Sequence, residues 1–294
     1  MIFKNFVQSI RLIAFLSVFL PIKTYSQVRK ISVKKELKIH SEFLNRDVIY
    51  DVILPPDYII QASLSSLLLM NDGQDLSALN MEQVIQNLYQ NSEIEPFVLV
   101  AIHTNENRIR EYGTAGMADY KNRGDLADNY NSFIIKEFLP YIRSKYAVSL
   151  DKADNFFCGF SLGGLSAMDI VWNNPDKFSK AGVFSGSFWW RKKAYEEGYN
   201  DDSDRIMHNI VKNGTYHRGQ KFWFECGTND EKDDRNNNGI IDSIEDTLDL
   251  ITELENHGYK KAVDIVYYEV KDGEHNQKTW SEAMPVFLKW LVGK

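Results

Sequence analysis

The chain has 294 residues, 44% of them hydrophobic and 26% charged, with 34 basic against 41 acidic side chains and a formal net charge of -7. This length and apolar content suit one large domain with a sizeable core, and exclude a disordered or fibrous chain. The acidic balance provides no concentrated positive surface for a phosphate backbone, so no nucleic-acid partner is expected.

Lys4 and Arg11 precede a nearly continuous apolar run over residues 12–22, and Thr24 and Ser26 follow it. This is the pattern of a signal peptide over residues 1–26. It leaves a single catalytic domain over residues 27–294, exported to the periplasm or the extracellular space. The run is too short for a comfortable membrane span, and no second apolar run is longer. Cys158 and Cys226 end two interior strands that another strand should separate, which predicts two buried free thiols.

His40 is expected to precede the fold proper. Residues 46–54 alternate and are β-rich, and Pro55 and Pro56 stop them, which predicts an antiparallel edge strand. Residues 64–70 end in an interior-type strand, followed by the turn Asn71-Asp72-Gly73-Gln74 and a helix around residues 80–89. Another interior-type strand, residues 97–102, ends at His103. An amphipathic helix is expected over residues 129–146 and a short strand at 155–158, before a helix at 161–172. A strand at 181–186 leads into an irregular excursion, residues 187–220, placed near the rim of the site or on a solvated surface. Strands at 221–226 and 263–270 flank a helix at 247–256, and a last helix starts near Thr279. Strands apolar on both faces that alternate with helices predict a mostly parallel sheet covered on both sides.

The strongest local signal is Gly159-Phe160-Ser161-Leu162-Gly163-Gly164. A strand enters it and a helical pattern leaves it, as a G-x-S-x-G nucleophile elbow requires, and an α/β-hydrolase fold is expected. Ser161 is the expected nucleophile. Glycines at 159 and 163 allow close backbone approach. The Leu162 N–H would form one half of an oxyanion hole, and Gln74, after the flexible Gly73, the other.

A serine hydroxyl needs a base. Of six histidines, His275 follows the strand at 263–270 and comes last in chain order, as this fold demands. His103 is the competitor and could instead touch substrate. His208 and His217 fall in the irregular excursion, and His257 lies at a helix end. For the acid, Asp230 follows the strand at 221–226; the adjacent Glu231 is the alternative, and Asp233 is less well placed.

Residues 234–245 read as a calcium loop. Asp234, Asn236 and Asn238 occupy its first, third and fifth positions, with Gly239 at the turn. The Ile240 carbonyl, Asp242 and Glu245 complete the set. Seven acidic side chains between 230 and 246 would repel one another without a cation. One structural calcium is expected, with no cofactor needed for catalysis. A solvated acidic turn with helix-capping side chains is the alternative.

The sequence resembles the esterase family that includes esterase D, the enterochelin esterases, the feruloyl esterases and the mycolyltransferases. The resemblance covers roughly residues 46–292. It rests on Asn71 to Gln74, Arg110-Glu111-Tyr112, Gly159 to Gly164, Ser185-Gly186-Ser187-Phe188-Trp189-Trp190, and Gly273-Glu274-His275 with Trp280. It implies Ser161, Asp230 or Glu231, and His275 as a triad, Leu162 and Gln74 as oxyanion donors, and Arg110 and Tyr112 near the substrate. The activity so implied is hydrolysis of a carboxylic ester. Export favours an acyl or feruloyl ester of a carbohydrate, on which Trp189 and Trp190 could stack, unless they are core anchors. A siderophore trilactone or transfer of the acyl group to an acceptor are the alternatives. A non-catalytic carbohydrate-binding protein is less expected, because every candidate side chain is retained.

Overall fold

Apolar strands that alternate with helices build one eight-stranded sheet in the computed structural model, which describes residues 30–56, 58 and 64–294. The expected leader lies outside the described residues. The strands are β1 (Ser32–Ser41), β2 (Arg46–Leu54), β3 (Ser66–Asn71), β4 (Phe97–Ile102), β5 (Asn155–Phe160), β6 (Lys180–Phe184), β7 (Lys221–Asn229) and β8 (Ile265–Glu274). Their spatial order is β1-β2-β4-β3-β5-β6-β7-β8. β1 pairs with β2, and β2 with β4, antiparallel; every pairing from β4 to β8 is parallel. The fold is the α/β-hydrolase type, as expected.

The helices are α1 (Met81–Gln90), α2 (Arg108–Glu111), α3 (Ala127–Ser132), α4 (Leu139–Lys145), α5 (Leu162–Asn173), α6 (Asp201–Asp204), α7 (Ile206–Lys212), α8 (Asp242–Asn256) and α9 (Gln277–Val292). They cover both faces of the sheet. Along β3, Leu67 and Leu69 join the core under α3 to α5, α7 and α8, whereas Leu68 and Met70 join the core under α1 and α9. The two-residue period of a strand divides an all-apolar sequence between two cores.

Several elements differ from expectation. β1, not β2, is the edge strand, and His40 belongs to it, exposed and paired with Asp47 at 2.9 Å. Its polar sequence has an irregular register between Lys34 and Leu37, which hid the alternation. The amphipathic stretch begins at Ala127, and its middle turn, Phe133–Phe138, is a π-helix between α3 and α4. The excursion after β6 carries α6 and α7, and α7 buries Ile206, Met207, His208 and Val211. It is therefore partly core. α8 starts at Asp242, so the last ligand positions of the calcium-like loop lie in its first turn.

Cys158 and Cys226 are buried and free, with β6 between their strands. Among the described residues no helix is long and apolar enough to cross a membrane.

Candidate active site

β5 runs into Ser161 and α5 leaves it. Ser161 has φ 55° and ψ -121°, a strained conformation for a residue with a side chain. Glycines make the turn sterically feasible. A Cβ on Gly159 would stand 2.2 Å from the Gly163 carbonyl oxygen, and one on Gly163 would stand 2.5 Å from Asp72 Oδ2. The Ser161 N–H donates to the Phe184 carbonyl at 2.9 Å, which pins the turn to β6. α5 begins at Leu162, and first-turn N–H groups have no intrahelical acceptor.

The turn after β3 packs against this elbow. Asn71 Nδ2 donates to the Gly163 carbonyl at 2.8 Å, and Tyr130 OH donates to Asn71 Oδ1 at 2.6 Å. Asp72 has φ 60° and is almost fully buried. Gln74 lies in the short 3-10 turn Gly73–Asp75, where its side chain donates to Asp72 Oδ1 and accepts from the Thr104 N–H. The backbone at 74 thus stands on the turn that braces the elbow.

His275 follows β8, and its ring meets that of Trp280 edge-on at 5.3 Å. Trp280 in turn lies 5.1 Å from Phe160, the residue before Ser161. His275 Nδ1 is 4.0 Å from Asp230 Oδ1, ion-pair range but longer than a hydrogen bond. Glu231 turns away and accepts the Ser243 N–H, so Asp230 is the carboxylate that faces the imidazole. Burial pulls His275 below its ordinary pKa, with Asp230 opposing and Arg108 adding to the shift. Burial pushes Asp230 up, opposed by the Ser185 hydroxyl and by His275. The Ser161 hydroxyl lies 3.3 Å from Ser187 Oγ, and among the described residues it makes no hydrogen bond to His275. Such contacts are often loose before substrate binds.

The other candidates divide. Trp190 is fully buried, and a Cβ on Gly124 would meet its ring at 2.8 Å, so it is a core anchor and does not stack on substrate. Trp189 is half-buried, with the Arg123 guanidinium 4.8 Å from its ring. Tyr112 is also fully buried: its OH accepts the Asp72 N–H at 3.2 Å, behind the turn and out of substrate's reach. Arg110 points outward and pairs with Asp125. His103 lies beside Gly73 but turns to Asp51, with Nε2 3.2 Å from Oδ2. His208 is buried against the Asp246 carbonyl, and burial pulls its pKa down to about 3, which suits a neutral structural group.

Sequence reasoning missed Arg108. It lies two residues before Arg110, on the inner side of α2, and grips Asp72 with Nε and Nη2. It also missed Ser185 and Ser187, although both belong to the Ser185-Gly186-Ser187-Phe188-Trp189-Trp190 motif. A positive φ of 46° at Ser185 is a tertiary feature with no sequence signature outside glycine.

The calcium-like loop is partly neutralised from within. Arg235 reaches Asp246 at 2.6 Å, Asp201 at 3.0 Å and Asp242 at 3.3 Å, and Arg205 reaches Asp246 at 2.8 Å. Asp242 and Asp246 therefore do not depend on a metal to offset their charge. Asp242 is engaged by Arg235, whereas Asn236 and Asn238 both donate to Glu245, and Asp234 accepts from the N–H groups of Asn238 and Gly239. The Ile240 side chain is exposed. Among the described residues no group of three or more His, Cys, Asp or Glu is arranged to hold a metal.

Residues 41–291 match the family model described as "Putative esterase". An uncharacterized protein, YbbA, of Bacillus subtilis is 25% identical over 89% of this chain and 98% of its own length. The endo-1,4-beta-xylanase/feruloyl esterase of Xylanibacter ruminicola is 25% identical over 35% of this chain, a match that spans only 13% of that protein. Among solved structures, the enterochelin esterase of Shigella flexneri superposes with a TM-score of 0.69 at 18% identity, covering 88% of this chain and 57% of that one. A ferulic acid esterase superposes with a TM-score of 0.65 at 17% identity, covering 90% and 98%. With the family model spanning most of the sheet and both ends of the site, the chain belongs to this esterase family and is a carboxylic ester hydrolase of the α/β-hydrolase fold.

Proposed function

We propose that the protein is a serine esterase that works through an acyl-enzyme, with Ser161 as nucleophile, His275 as general base and Asp230 as the acid that orients it. The observation that carries this reading is the strained elbow at Ser161, at the end of β5 and beside the loops that hold His275 and Asp230. His275 takes the Ser161 proton as the oxygen attacks the ester carbonyl. Asp230 stabilises the imidazolium that results. The N–H groups of Leu162 and Gln74 receive the oxyanion, and His275 then protonates the leaving alcohol. Water activated by the same imidazole releases the acid.

The substrate is an acyl or feruloyl ester linked to a carbohydrate, met outside the cytoplasm by a chain whose residues 1–26 act as an export signal. The names of the xylanase/feruloyl esterase and of the ferulic acid esterase support this class, as does the half-buried Trp189 on the segment that leaves Ser187. The test is a hydrolysis panel of feruloyl esters, acetyl-xylan and siderophore trilactones, with Ser161→Ala as control. Turnover of feruloyl or acetyl-xylan esters that disappears in Ser161→Ala is expected. Preferential turnover of trilactones would move the substrate class to that of the enterochelin esterase, and activity undiminished in Ser161→Ala would end the mechanism.

The loop at 234–245 binds one structural calcium. The donor chemistry fits a hard cation, because the side chains of Asp234, Asn236, Asn238 and Glu245 already converge. Joined by the Ile240 carbonyl, the carboxylates of Asp234 and Glu245 would hold the ion, with the Asn236 and Asn238 amides turned over from their NH2 contacts with Glu245 to offer oxygen; Asp242 would serve through water or remain with Arg235. The ion would order the chain between Asp230 and α8 and take no part in acyl transfer.

A further inference from the structure

β7 carries an acidic side chain into the sheet's interior. Phe222 and Phe224 face one core and Trp223 faces the other, so the alternation sends Glu225 to the Trp223 side. Glu225 is fully buried, and among the described residues neither of its carboxyl oxygens has a well-formed hydrogen bond. Asp230, five residues on, is in the same condition. Buried carboxyls without partners are costly and call for an explanation.

Ser185 supplies the connection. Its N–H donates to the Glu225 carbonyl at 2.8 Å, and its Oγ accepts from Trp280 Nε1 at 2.9 Å. With the indole as donor, the serine proton remains free for the two carboxyl groups, Glu225 and Asp230, whose charged forms the hydroxyl favours without making a hydrogen bond of ordinary geometry to either. Trp280 is also the ring against which His275 packs. Two neighbouring carboxyls out of water cannot both be ionised. Asp230 faces an imidazole and, among the described residues, Glu225 is paired with no cation, so the proton belongs on Glu225.

We propose that Glu225 is a positioning residue of this site: a protonated carboxyl that, with Ser185, holds the Asp230 carboxylate from behind and keeps it aimed at His275. The inference rests on the serine-esterase reading. The titratable group that acts most strongly on Glu225 is Asp230 on the loop after β7, with His275 beyond it; Tyr268 stands opposite Glu225 on β8 on the same face, whereas Cys226 and Tyr267 lie across the sheet on the other face. Burial, reinforced by the Asp230 charge, pushes Glu225 up to about 8.

The test compares Glu225→Leu and Glu225→Gln with wild type, by pH profiles of kcat and KM and by thermal unfolding. Glu225→Leu should lower kcat about tenfold with KM little changed, through a less well-oriented base, and Glu225→Gln should recover most of that loss. A carboxyl whose folded pKa is raised stabilises the fold fully below its ordinary pKa, and that stability is lost as pH climbs to about 8. The melting temperature of Glu225→Gln should therefore gain on wild type steadily from pH 5 to 8, and then hold level. A difference that does not change with pH would overturn the proposal. So would a displacement of the acid limb of kcat/KM in Glu225→Gln, which would mean that a charge had been removed. Wild-type kcat in Glu225→Leu would equally overturn it. The unfolding arm needs no substrate, so it still reports on Glu225 if Ser161→Ala shows the esterase reading to be wrong.

Discussion

Arg108 and Asp72 are joined by two parallel hydrogen bonds, Nε to Oδ1 at 2.7 Å and Nη2 to Oδ2 at 2.8 Å. Arg108 Nη2 also donates to the Phe160 carbonyl at 3.3 Å, which ties the turn after β3 to the end of β5. The pair thus clamps the two backbone segments between which an oxyanion would form. Arg108→Ala would leave a carboxylate that is only 2% exposed without its cation. A loss of about 3 kcal/mol of stability is expected, at the low end for a buried pair because the arginine is partly wet. In kcat we expect a loss of roughly tenfold or more as the turn loosens. Denaturant unfolding and steady-state kinetics check both; unchanged kcat would show that the clamp does not set the oxyanion geometry.

His275 must be neutral to accept a proton, and burial lowers its pKa from 6.5. The acid limb of kcat/KM should therefore have its midpoint below 6.5. Asp230 opposes that shift, so Asp230→Asn should move the limb still lower while it cuts kcat by about 10^3 to 10^4. A limb at or above 6.5 in wild type would contradict this assignment.

The neighbouring tryptophans should separate cleanly. Trp190→Ala removes a fully buried ring and should cost about 3–5 kcal/mol of stability. Trp189→Ala should leave stability nearly intact and raise KM for a feruloyl ester by about fivefold, the worth of one stacking contact. Equal KM in wild type and Trp189→Ala would remove Trp189 from the substrate path.

Millimolar calcium should raise the melting temperature of wild type, because an ion bound only by the folded state stabilises it by mass action. The rise should disappear in Glu245→Gln, while esterase activity in the presence of chelator persists. A wild-type melting temperature indifferent to calcium would leave the loop with Arg235 and Arg205 as its sole cations.

The elbow could be read in the chain because its requirements are local. Two glycines and a serine between an apolar strand and a helix admit few other structures. The interior strands were legible as short unbroken apolar runs, and the helices at Met81–Gln90 and Gln277–Val292 by their amphipathic period. β1 was not, because a polar edge strand has only one face to bury and its register slips between Lys34 and Leu37. Arg110 and Arg108 are the same residue type two positions apart, and only the direction in which α2 docks tells them apart.

By itself the sequence determined the order of the interior strands, the sharp glycine-flanked turn at Ser161 and the late loop that bears His275, because these depend on short-range patterns of apolar residues and glycine. Tertiary structure alone decided that Asp230 rather than Glu231 faces the imidazole, that Trp190 and Tyr112 are core while Trp189 is half-buried, and that Glu225 lies buried in the strand that leads to Asp230. Those outcomes depend on which side chains from distant segments meet out of water, and a desolvated charge is governed by neighbours that no local pattern specifies.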